Sequence, residues 1–336
     1  MTQPSITQPR PADAAILPGQ SLEVEVTAAE RRGEVLLFSL GLPGGGDLPV
    51  WEAGAHIDLV LGDGLVRQYS LCGDPADRSC YRLAVLRDPA SRGGSAAVHE
   101  QVSVGRRLTI GAPRNLFALD TGAACSVLVG GGIGVTPLIA MAYELHDRGQ
   151  PFTLHYVARD PVFAQVLAET PFAASVVVHD RSQPGALRFD PGQALCAQAL
   201  PQGAALAGTH VYTCGPIGLM DAVFEAGLAL GYARPSLHRE AFSAQPVVGG
   251  EGFSVLAARS GVRVEVGPED TIAGALGKAG VKVTLSCEQG ICGTCVVSVL
   301  EGEPDHRDEY LTEDERTDQI ALCCSRARSP LLVVDI

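Results

Sequence analysis

The sequence predicts a multidomain protein in which an antiparallel β-barrel is followed by a doubly wound α/β domain and then by a smaller α+β domain. Three observations support this prediction. The 336 residues exceed the length of one ordinary domain. The first third of the chain has short apolar runs broken by Gly, Pro and Asp, whereas the middle third alternates strands with helices. The last part mixes short strands with one clear helix.

The barrel is predicted over residues 21–120, because short strands separated by turn residues are typical of barrels and sandwiches. Its strands are expected at Leu22–Val26, Glu34–Leu40, His56–Leu61, Tyr81–Val85 and Leu108–Ile110. Residues 1–20 contain no charged segment followed by an uninterrupted apolar stretch, so they do not resemble a secretion signal. We expect them to form a flexible tail.

The α/β domain is predicted over residues 121–242, because alternating strands and helices form βαβ units around a parallel sheet. The strands are expected at Ser126–Val129, Phe152–Val157, Ala174–Val178 and His210–Thr213, and the helices near Thr136–Asp147, Pro161–Glu169 and Pro216–Leu230. Residues 243–251 (SAQPVVGGE) are interpreted as a linker. The α+β domain is predicted over residues 252–336, with a helix near Thr271–Ala279.

Composition narrows the class of function. The formal net charge is −13, and a chain this acidic lacks the Lys and Arg that general nucleic-acid binding needs. No stretch approaches the roughly 18 consecutive apolar residues of a membrane helix. The expected location is the cytoplasm, where clustered cysteines are more often metal ligands or catalytic groups than disulfides. The ten cysteines therefore indicate metal or redox chemistry.

Three cysteines, Cys287, Cys292 and Cys295, follow the spacing C-x4-C-x2-C, and the pair Cys323–Cys324 comes later in the chain. This spacing is that of a plant-type [2Fe–2S] cluster, in which four thiolates hold two irons. Glycines between the cysteines allow the loop to turn so that backbone N–H groups face the sulfurs. A structural zinc site usually has CxxC pairs, and a reducing compartment disfavours disulfides, so both alternatives fit less well.

The fourth thiolate can come from Cys323 or from Cys324. Adjacent residues of an extended segment point to opposite faces. We take Cys323 as the ligand and Cys324 as a packing residue. The cysteines without metal spacing are expected to fill apolar space; they are Cys72, Cys80, Cys125 and Cys196.

A glycine-rich turn follows the first strand of the α/β domain, in the segment VLVGGGIGVTP (residues 127–137). Thr136 before Pro137 is expected to cap a helix, at whose start a pyrophosphate could meet backbone donors. A tight turn without a ligand is the alternative. The segment YTCGP (residues 212–216) repeats the pattern later. Both turns are expected at the carboxyl edge of the sheet, where doubly wound folds bind ligands.

The barrel contains the segment Arg67-Gln68-Tyr69-Ser70. Arg67 and Tyr69 share one face of a strand, where an Arg can pair with a phosphate and a Tyr can cover an aromatic ring. Ser70 can offer its hydroxyl and its amide to a ring heteroatom. Further on, Arg92-Gly93-Gly94-Ser95 precedes a short helix, which is another possible anion-binding helix start.

The ordered set of motifs resembles the phthalate dioxygenase reductase family, which includes vanillate demethylase reductases. The resemblance runs from Ser21 to Ile336 and depends on the order RxYS, GGS, glycine turn, CGP and C-x4-C-x2-C…C. It implies an FMN-binding barrel, an NAD-binding α/β domain and a plant-type ferredoxin domain of the β-grasp type. It also implies that electrons pass from NADH through FMN and the [2Fe–2S] cluster to a separate Rieske-type oxygenase, either an aromatic ring dioxygenase or an O-demethylase.

The resemblance assigns residues to three sites. The flavin residues are Arg67, Tyr69 and Ser70 near the isoalloxazine and ribityl phosphate, and Arg92, Gly94 and Ser95 at the phosphate. The nucleotide residues are Gly131, Gly132, Thr136, Arg159, Cys214, Gly215 and Pro216, and the place of Asp180 after the third strand of the domain adds it to them. The residues expected at the reacting rings are Ser70, Cys214, Glu240 and Phe242, and the cluster ligands are Cys287, Cys292, Cys295 and Cys323.

Two of these residues have alternative interpretations. Asp180 could accept from a ribose hydroxyl and repel a 2′-phosphate, whereas Arg181 could attract that phosphate. The resemblance favours NADH. Glu240 could place the nicotinamide or assist a flavin proton, or it could be an ordinary hydrogen-bonding residue.

The expected partner is the oxygenase, with no nucleic acid and no membrane, and the chain is expected to be a monomer. Residues 301–318 hold nine carboxylates against Arg307 and Arg316. We interpret this acidic run as a docking face for a basic partner surface, with an ordinary solvated helix and loop as the alternative. The alternative functions are a stand-alone NAD(P)H diaphorase-type reductase and a redox-sensing binding protein.

Overall fold

The computed structural model describes residues 21–62, 65–89, 93–182, 185–201, 204–242, 249–285, 287–291, 293–308, 310–311 and 314–336. The predicted tail, most of the predicted linker, Arg92 and Cys292 lie outside the described residues. The chain divides into two compact units, one that ends at Glu240 and one that begins at Ala241.

The first unit begins with an antiparallel barrel. Its elements are β1 (Ser21–Arg32), β2 (Val35–Gly41), β3 (Ala55–Val60), β4 (Val66–Ser70), β5 (Tyr81–Leu86), α1 (Gly94–Gln101), β6 (Arg107–Gly111) and β7 (Arg114–Asn115). The strand order is β4-β3-β6-β1-β2-β5, and β7 pairs with β3. Just beyond β4, the Cys72 N–H donates to the Arg82 carbonyl of β5 at 2.9 Å, so the two outer strands meet and the sheet closes.

The second part of this unit is a parallel sheet with helices between its strands. Its elements are β8 (Cys125–Gly131), α2 (Val135–Asp147), β9 (Phe152–Ala158), α3 (Ala164–Ala168), β10 (Val176–Asp180), α4 (Pro191–Leu195), β11 (Thr209–Cys214), α5 (Ile217–Leu230) and β12 (Leu237–Glu240). The strand order is β10-β9-β8-β11-β12, and every pairing is parallel. The order reverses between β8 and β11, which makes their carboxyl ends the switch point of the sheet.

The barrel and the parallel sheet share one apolar core. A continuous buried cluster runs from Val24 and Ile57 of the barrel to Leu138 of α2 and Cys214 of β11. This shared core explains why the two predicted domains form a single compact unit, although their sheets are separate.

The second unit is a mixed sheet with one helix. Its elements are β13 (Phe253–Ala257), β14 (Val262–Val266), α6 (Ile272–Lys278), β15 (Val296–Glu301), β16 (Pro304–Asp305), β17 (Gln319–Ala321), β18 (Arg326–Ala327) and β19 (Leu331–Val334). The larger sheet has the order β14-β13-β19-β15-β17, and β16 pairs with β18. Thr271 caps α6 by accepting the Gly274 N–H at 3.0 Å, and Ile272 and Leu276 are buried in the core beneath it.

The predicted elements occur in the predicted order, and their boundaries differ by a few residues. The third strand of the parallel sheet begins at Val176 rather than Ala174, because Ala173–Ser175 forms a 3₁₀ turn. The short strand β12 and helix α4 were not predicted. Among the described helices, none combines the length and the apolar character that crossing a membrane requires.

The buried His56 on β3 gives the barrel a testable acid sensitivity. Burial and, to a smaller extent, the positive charge of Arg114 lower the pKa of His56 from 6.5 to about 4. Between about pH 6.5 and 4, the unfolded chain therefore binds a proton at His56 that the folded chain does not. The neutral His56 destabilises nothing above pH 6.5, and the folded state loses stability as the pH falls from there toward 4. Between pH 7 and 4.5 we expect His56 to lower the free energy of unfolding by roughly 2 kcal/mol.

The measurement is denaturant unfolding followed by the fluorescence of Trp51, the only tryptophan, which is buried in the same barrel. The variant His56→Gln should show a correspondingly shallower loss of stability over this pH range. The exposed His146 supplies the control, since His146→Gln should keep the wild-type pH profile. Equal acid sensitivity in the His56→Gln variant and the wild type would contradict the prediction.

Candidate functional site

Two backbone turns touch at the switch point of the parallel sheet. A Cβ atom added to Gly134 would lie 2.6 Å from the Gly215 nitrogen, and one added to Gly131 would lie 2.7 Å from Pro216 Cδ. These distances are too short for any side chain, so glycine is required at both positions. The turn after β8 and the turn after β11 thus form one narrow cradle of backbone at the edge where doubly wound sheets bind ligands.

Thr136 does not cap helix α2, so that prediction was wrong. The helix begins at Val135, and Gly134 occupies the N-cap position with helical backbone angles. The 3₁₀ turn Gly132–Gly134 leads directly into the helix, so the chain is already helical before it reaches Thr136. The buried Thr136 hydroxyl donates to the Ile133 carbonyl at 2.9 Å, which stabilises the turn rather than the helix start.

A cavity of about 160 Å³ lies beside the glycine turn, between the barrel and the parallel sheet. Two predicted nucleotide residues, Gly132 and Arg159, line it together with Glu34 and Leu86 of the barrel. Gly132 has a φ of +55° and faces open space. Arg159 forms no hydrogen bond or ion pair with the described residues, so its guanidinium is available to an anionic or hydroxylated ligand.

Cys214 and Glu240 lie side by side at the carboxyl edge, where they are register partners on β11 and β12. Burial raises the pKa of the Cys214 thiol well above its usual value, and the nearby Glu240 adds to the shift. Burial also raises the pKa of Glu240 to about 8, so that this carboxyl holds its proton at neutral pH. Its Oε2 atom is buried without a hydrogen-bond partner among the described residues.

Asp180 ends β10 at the same edge of the sheet. Its carboxylate is exposed and accepts the Ser182 N–H at 2.8 Å, and hydrogen bonds from Ser182 lower its pKa. Arg181 continues the sheet through its backbone, since its N–H donates to the Ala158 carbonyl at 2.8 Å. The structure thus places an ionised carboxylate at the end of the third strand of the domain.

The predicted flavin residues of β4 lie next to the start of helix α1. Ser70 is buried opposite His56, and Tyr69 lies opposite Ile57 on the other face. A Cβ atom on Gly94 would lie 2.6 Å from Arg67 Cγ, so the Arg67 side chain packs against the first residue of α1. An arginine and a helix N-terminus are therefore adjacent, which is a combination that suits a phosphate.

Burial keeps Tyr69 neutral, and a hydrogen bond holds Ser95 in place. Burial raises the pKa of Tyr69 to about 12, so its phenol stays neutral. The buried Ser95 hydroxyl accepts the Asp88 N–H at 3.1 Å, which ties the start of α1 to the loop after β5. Phe242, two residues beyond β12, is 39% exposed.

The predicted cluster cysteines come together in the second unit. The pairing of Val296 with Ala321, and a hydrogen bond from the Leu322 N–H to the Cys295 carbonyl at 3.3 Å, bring the end of the cysteine loop beside Cys323. Hydrogen bonds to the thiols of Cys287, Cys295 and Cys324 raise the pKa of Cys323. The Cys324 thiol also lies near the Ala321 carbonyl at 4.0 Å and packs against Gly290.

The loop that contains Cys287 is shaped for an anionic group. Gly290 and Gly293 have φ angles of +77° and +70°. Among the described residues, Glu288 is the only one other than glycine with a positive φ, which is +53°. The Gln289 N–H donates to Cys287 Sγ at 3.4 Å. Thiolates supported by backbone N–H donors are the donor set that a [2Fe–2S] cluster requires.

In the described part of the chain, no three His, Cys, Asp or Glu side chains are grouped around a single ion position. A [2Fe–2S] cluster shares four thiolates between two irons, so each iron takes two. The spacing C-x4-C-x2-C of Cys287, Cys292 and Cys295 is that of such a cluster and differs from the CxxC pairs of a structural zinc site.

The predicted acidic docking run is not uniformly exposed. The Asp308 side chain is fully buried, and Asp305 pairs with Arg307 at 2.9 Å. Glu301, Glu303, Asp314 and Asp318 are exposed, whereas Glu309 and Glu313 lie outside the described residues. The interpretation of all nine carboxylates as one docking face was therefore wrong for Asp308, because residue type and spacing do not reveal burial.

Comparison with known proteins agrees with this geometry. Residues 255–328 match the family model described as a 2Fe-2S iron-sulfur cluster binding domain. A vanillate O-demethylase oxidoreductase from Pseudomonas sp. (strain HR199 / DSM 7063) is 47% identical over 302 residues, which cover 87% of this chain and 92% of that protein. A phthalate dioxygenase reductase from Burkholderia cepacia is 36% identical over 322 residues, covering 94% and 97%.

A solved structure of phthalate dioxygenase reductase, described as a modular structure for electron transfer from pyridine nucleotides to [2Fe-2S], matches at a TM-score of 0.70. It is 35% identical and covers 94% of this chain and 98% of that one. The chain belongs to the phthalate dioxygenase reductase family. The predicted family, fold class and class of cofactors are confirmed.

As a member of this family, the protein is an oxidoreductase with flavin, pyridine nucleotide and [2Fe–2S] sites, and it acts as the reductase of an oxygenase system. Sequence reasoning missed two of its buried polar residues, His56 beside Ser70 and Asp308 beside the cysteine loop. Neither stands in a recognised motif. The only sequence feature that pointed to Asp308 was its place in the acidic run, and that feature predicted an exposed side chain rather than a buried one.

The close approach of the two turns predicts the effect of Gly134→Ala. The added methyl group would collide with the backbone of Gly215, and relieving that collision would open the cradle at a cost of about 1–3 kcal/mol. We expect the Kd for pyridine nucleotide to rise about tenfold or more, as measured by quenching of flavin fluorescence.

The matched control is Gly218→Ala, three residues beyond Gly215 in helix α5, where an added Cβ would meet no atom within 4 Å. This variant should bind nucleotide as the wild type does. Wild-type affinity in the Gly134→Ala variant would show that the two turns do not form the nucleotide cradle.

Proposed function

We propose that this protein is an NADH-dependent reductase that uses FMN and a [2Fe–2S] cluster to reduce a Rieske-type oxygenase, either an aromatic ring dioxygenase or an O-demethylase. The observation that supports this most is that Cys287, Cys295 and Cys323 come together in the second unit. The first unit of the same chain contains the barrel and the glycine turns at the switch point of the parallel sheet. Each of the two units therefore supplies part of one electron-transfer path. The names of its relatives refer to vanillate, phthalate and phenoxybenzoate oxygenase systems, which supports an oxygenase of aromatic compounds as the partner.

The proposed domain boundaries are an FMN-binding barrel at residues 21–120, an NAD-binding domain at 121–242, a linker at 243–251 and a ferredoxin domain at 252–336. Residues 1–20 are proposed to form a tail. The separate sheets of the described residues support the first boundary. We propose a monomer in the cytoplasm, and the nine described cysteines, all free of disulfides, fit a reducing compartment.

The proposed flavin site lies on β4 and at the start of α1. Arg67, Gly94 and Ser95 would hold the FMN phosphate together with Arg92, and the packing of Arg67 on Gly94 supports this grouping. Tyr69 would cover the ring, and its raised pKa keeps it a neutral hydrogen-bond donor. Ser70 and Phe242 would lie at the isoalloxazine.

The proposed nucleotide site is the cradle and the cavity beside it. Gly131, Gly132, Gly215 and Pro216 would leave room for the pyrophosphate, and Arg159 would bind it or a ribose hydroxyl from the cavity wall. Thr136 would act through the turn that its hydroxyl stabilises. Cys287, Cys292, Cys295 and Cys323 are the proposed cluster ligands.

When bound, a pyridine nucleotide supplies a hydride, and the flavin and the cluster pass the two electrons on singly. The residues of the chain would hold these groups in position and supply protons for the reaction. Cys214 presents a neutral thiol at the edge of the sheet, where it would fill space beside the nicotinamide. Glu240 holds a proton at neutral pH within the same buried edge, and we propose that it donates this proton during flavin reduction.

An anaerobic titration with NADH tests the proposed path. The flavin absorbance and the visible band of the cluster should both fall and the reduced EPR signal of the cluster should appear, because NADH delivers electrons to the flavin and the flavin passes them to the cluster. The variant Cys323→Ser should keep flavin reduction and lose most of the reduced-cluster signal, whereas Cys324→Ser should keep both.

Flavin bleaching in the wild type without any change in the cluster would refute the electron path. Loss of the cluster in Cys324→Ser but not in Cys323→Ser would instead assign the fourth ligand to Cys324.

The exposed carboxylate of Asp180 predicts the coenzyme preference. Its ionised oxygens can accept a ribose hydroxyl and repel a 2′-phosphate. The wild type should therefore show a higher kcat/KM with NADH than with NADPH. In the Asp180→Ala variant, the KM for NADH should rise about tenfold with little change in kcat, because a hydrogen bond to a charged group is lost.

The matched control is Asp147→Ala, which removes an exposed carboxylate at the end of helix α2 in the same domain. It should leave both KM values unchanged. A wild-type preference for NADPH, or an Asp180→Ala variant with wild-type discrimination, would overturn the assignment.

A further inference from the structure

Asp308 is a buried carboxylate in the middle of an otherwise largely exposed acidic segment. Its side chain has no exposed surface, whereas the side chain of its neighbour Arg316 is 30% exposed. A carboxylate is rarely buried unless hydrogen bonds and a nearby cation compensate it. The partners of Asp308 therefore indicate which part of the protein it serves.

The carboxylate of Asp308 holds two separate segments. Its Oδ2 accepts the Leu311 N–H at 2.8 Å, and its Oδ1 accepts the Ser325 hydroxyl at 3.2 Å. Arg316 donates to the main-chain carbonyl of Asp308 at 2.8 Å and lies 4.0 Å from Oδ2. His306 Nδ1 lies 3.7 Å from Oδ1. The carboxylate is thus fixed by two hydrogen bonds, and the Arg316 guanidinium 4.0 Å away compensates part of its charge.

Both sides of Asp308 touch the cysteine site. Ser325, which Asp308 holds, comes two residues after Cys323, and its hydroxyl lies 3.8 Å from Cys324 Sγ. On the other side, a Cβ atom on Gly290 would lie 3.0 Å from Asp308 Cα. The residue therefore contacts the cysteine loop through its backbone and the Cys323 segment through its carboxylate.

We propose that Asp308 is a positioning residue for the [2Fe–2S] cluster and that its buried charge lowers the tendency of the cluster to accept an electron. The proposal depends on the proposed role of Cys323 as a ligand. The hydrogen bond to Ser325 sets the position of the segment that presents Cys323. The negative charge has no exposed surface, so water screens it little, and it disfavours the additional electron on an already anionic cluster.

The test is the variant Asp308→Asn in the full-length holoprotein. The amide keeps the shape and one acceptor oxygen but removes the charge. We expect the one-electron equilibrium between flavin and cluster, measured by spectroelectrochemistry, to shift toward the reduced cluster by roughly three- to tenfold. A tenfold shift corresponds to about 59 mV for one electron. Loss of iron to a chelator should be about tenfold faster than in the wild type.

Two further variants separate charge from position. Ser325→Ala breaks the link to the cysteine segment but keeps the charge, so it should speed iron loss and leave the equilibrium within about twofold of the wild type. Asp314→Asn removes an exposed carboxylate of the same segment and should change neither quantity. The reduced-cluster EPR spectrum should change in Asp308→Asn and stay unchanged in Asp314→Asn.

A wild-type equilibrium, EPR spectrum and rate of iron loss in Asp308→Asn would overturn the proposal. If Asp308→Asn does not accumulate, wild-type iron retention in Ser325→Ala would overturn it, and faster loss would support the positioning role. The iron and sulfide content of the wild-type protein is a separate test of the cluster itself. A wild type without a cluster would refute the proposed function rather than the role of Asp308.

Discussion

The structure of both candidate sites depends on the close approach of backbone to backbone. At the switch point, the turns after β8 and β11 are so near that Gly134 and Gly215 leave no room for a Cβ atom. In the cysteine loop, Gly290 is equally confined by Cys324 and by the backbone of Asp308. Phosphates and anionic clusters bind to backbone N–H groups, which become accessible only where side chains are absent. The sheets and helices of both units hold these turns in place.

The degree of burial sets the protonation state of the carboxyl groups near the switch point. Glu240 lies half-buried at the end of β12, and burial raises the pKa of its carboxyl to about 8, so it is protonated at neutral pH at the edge where hydride transfer is proposed. Asp180 ends a strand at the same edge but is exposed, and hydrogen bonds keep it ionised. Two carboxylates on one sheet therefore have opposite protonation states at neutral pH, which suits one to proton donation and the other to ribose recognition.

The second unit uses the same principle around the cysteines. The pairing of β15 with β17 brings Cys295 next to the Cys323 segment, and the buried Asp308 fixes that segment through Ser325. A carboxylate beside an anionic cluster costs electrostatic energy, and the structure offsets part of it through Arg316. In the proposed site, this arrangement links the position of Cys323 to the charge near the cluster.

The sequence by itself determined the order of the elements, the cysteine spacing and the two glycine turns, because local periodicity and glycine content depend only on neighbouring residues. It also indicated the family through the order of its motifs. Only the tertiary structure showed where the Thr, Asp and Cys side chains of these motifs lie. Thr136 lies within a helix that starts one residue earlier, Asp308 is buried within an acidic run, and the Cys323 thiol interacts with the thiols of Cys287 and Cys295 as well as with that of Cys324. Burial and orientation arise from contacts between residues far apart in the chain, and no local pattern encodes them.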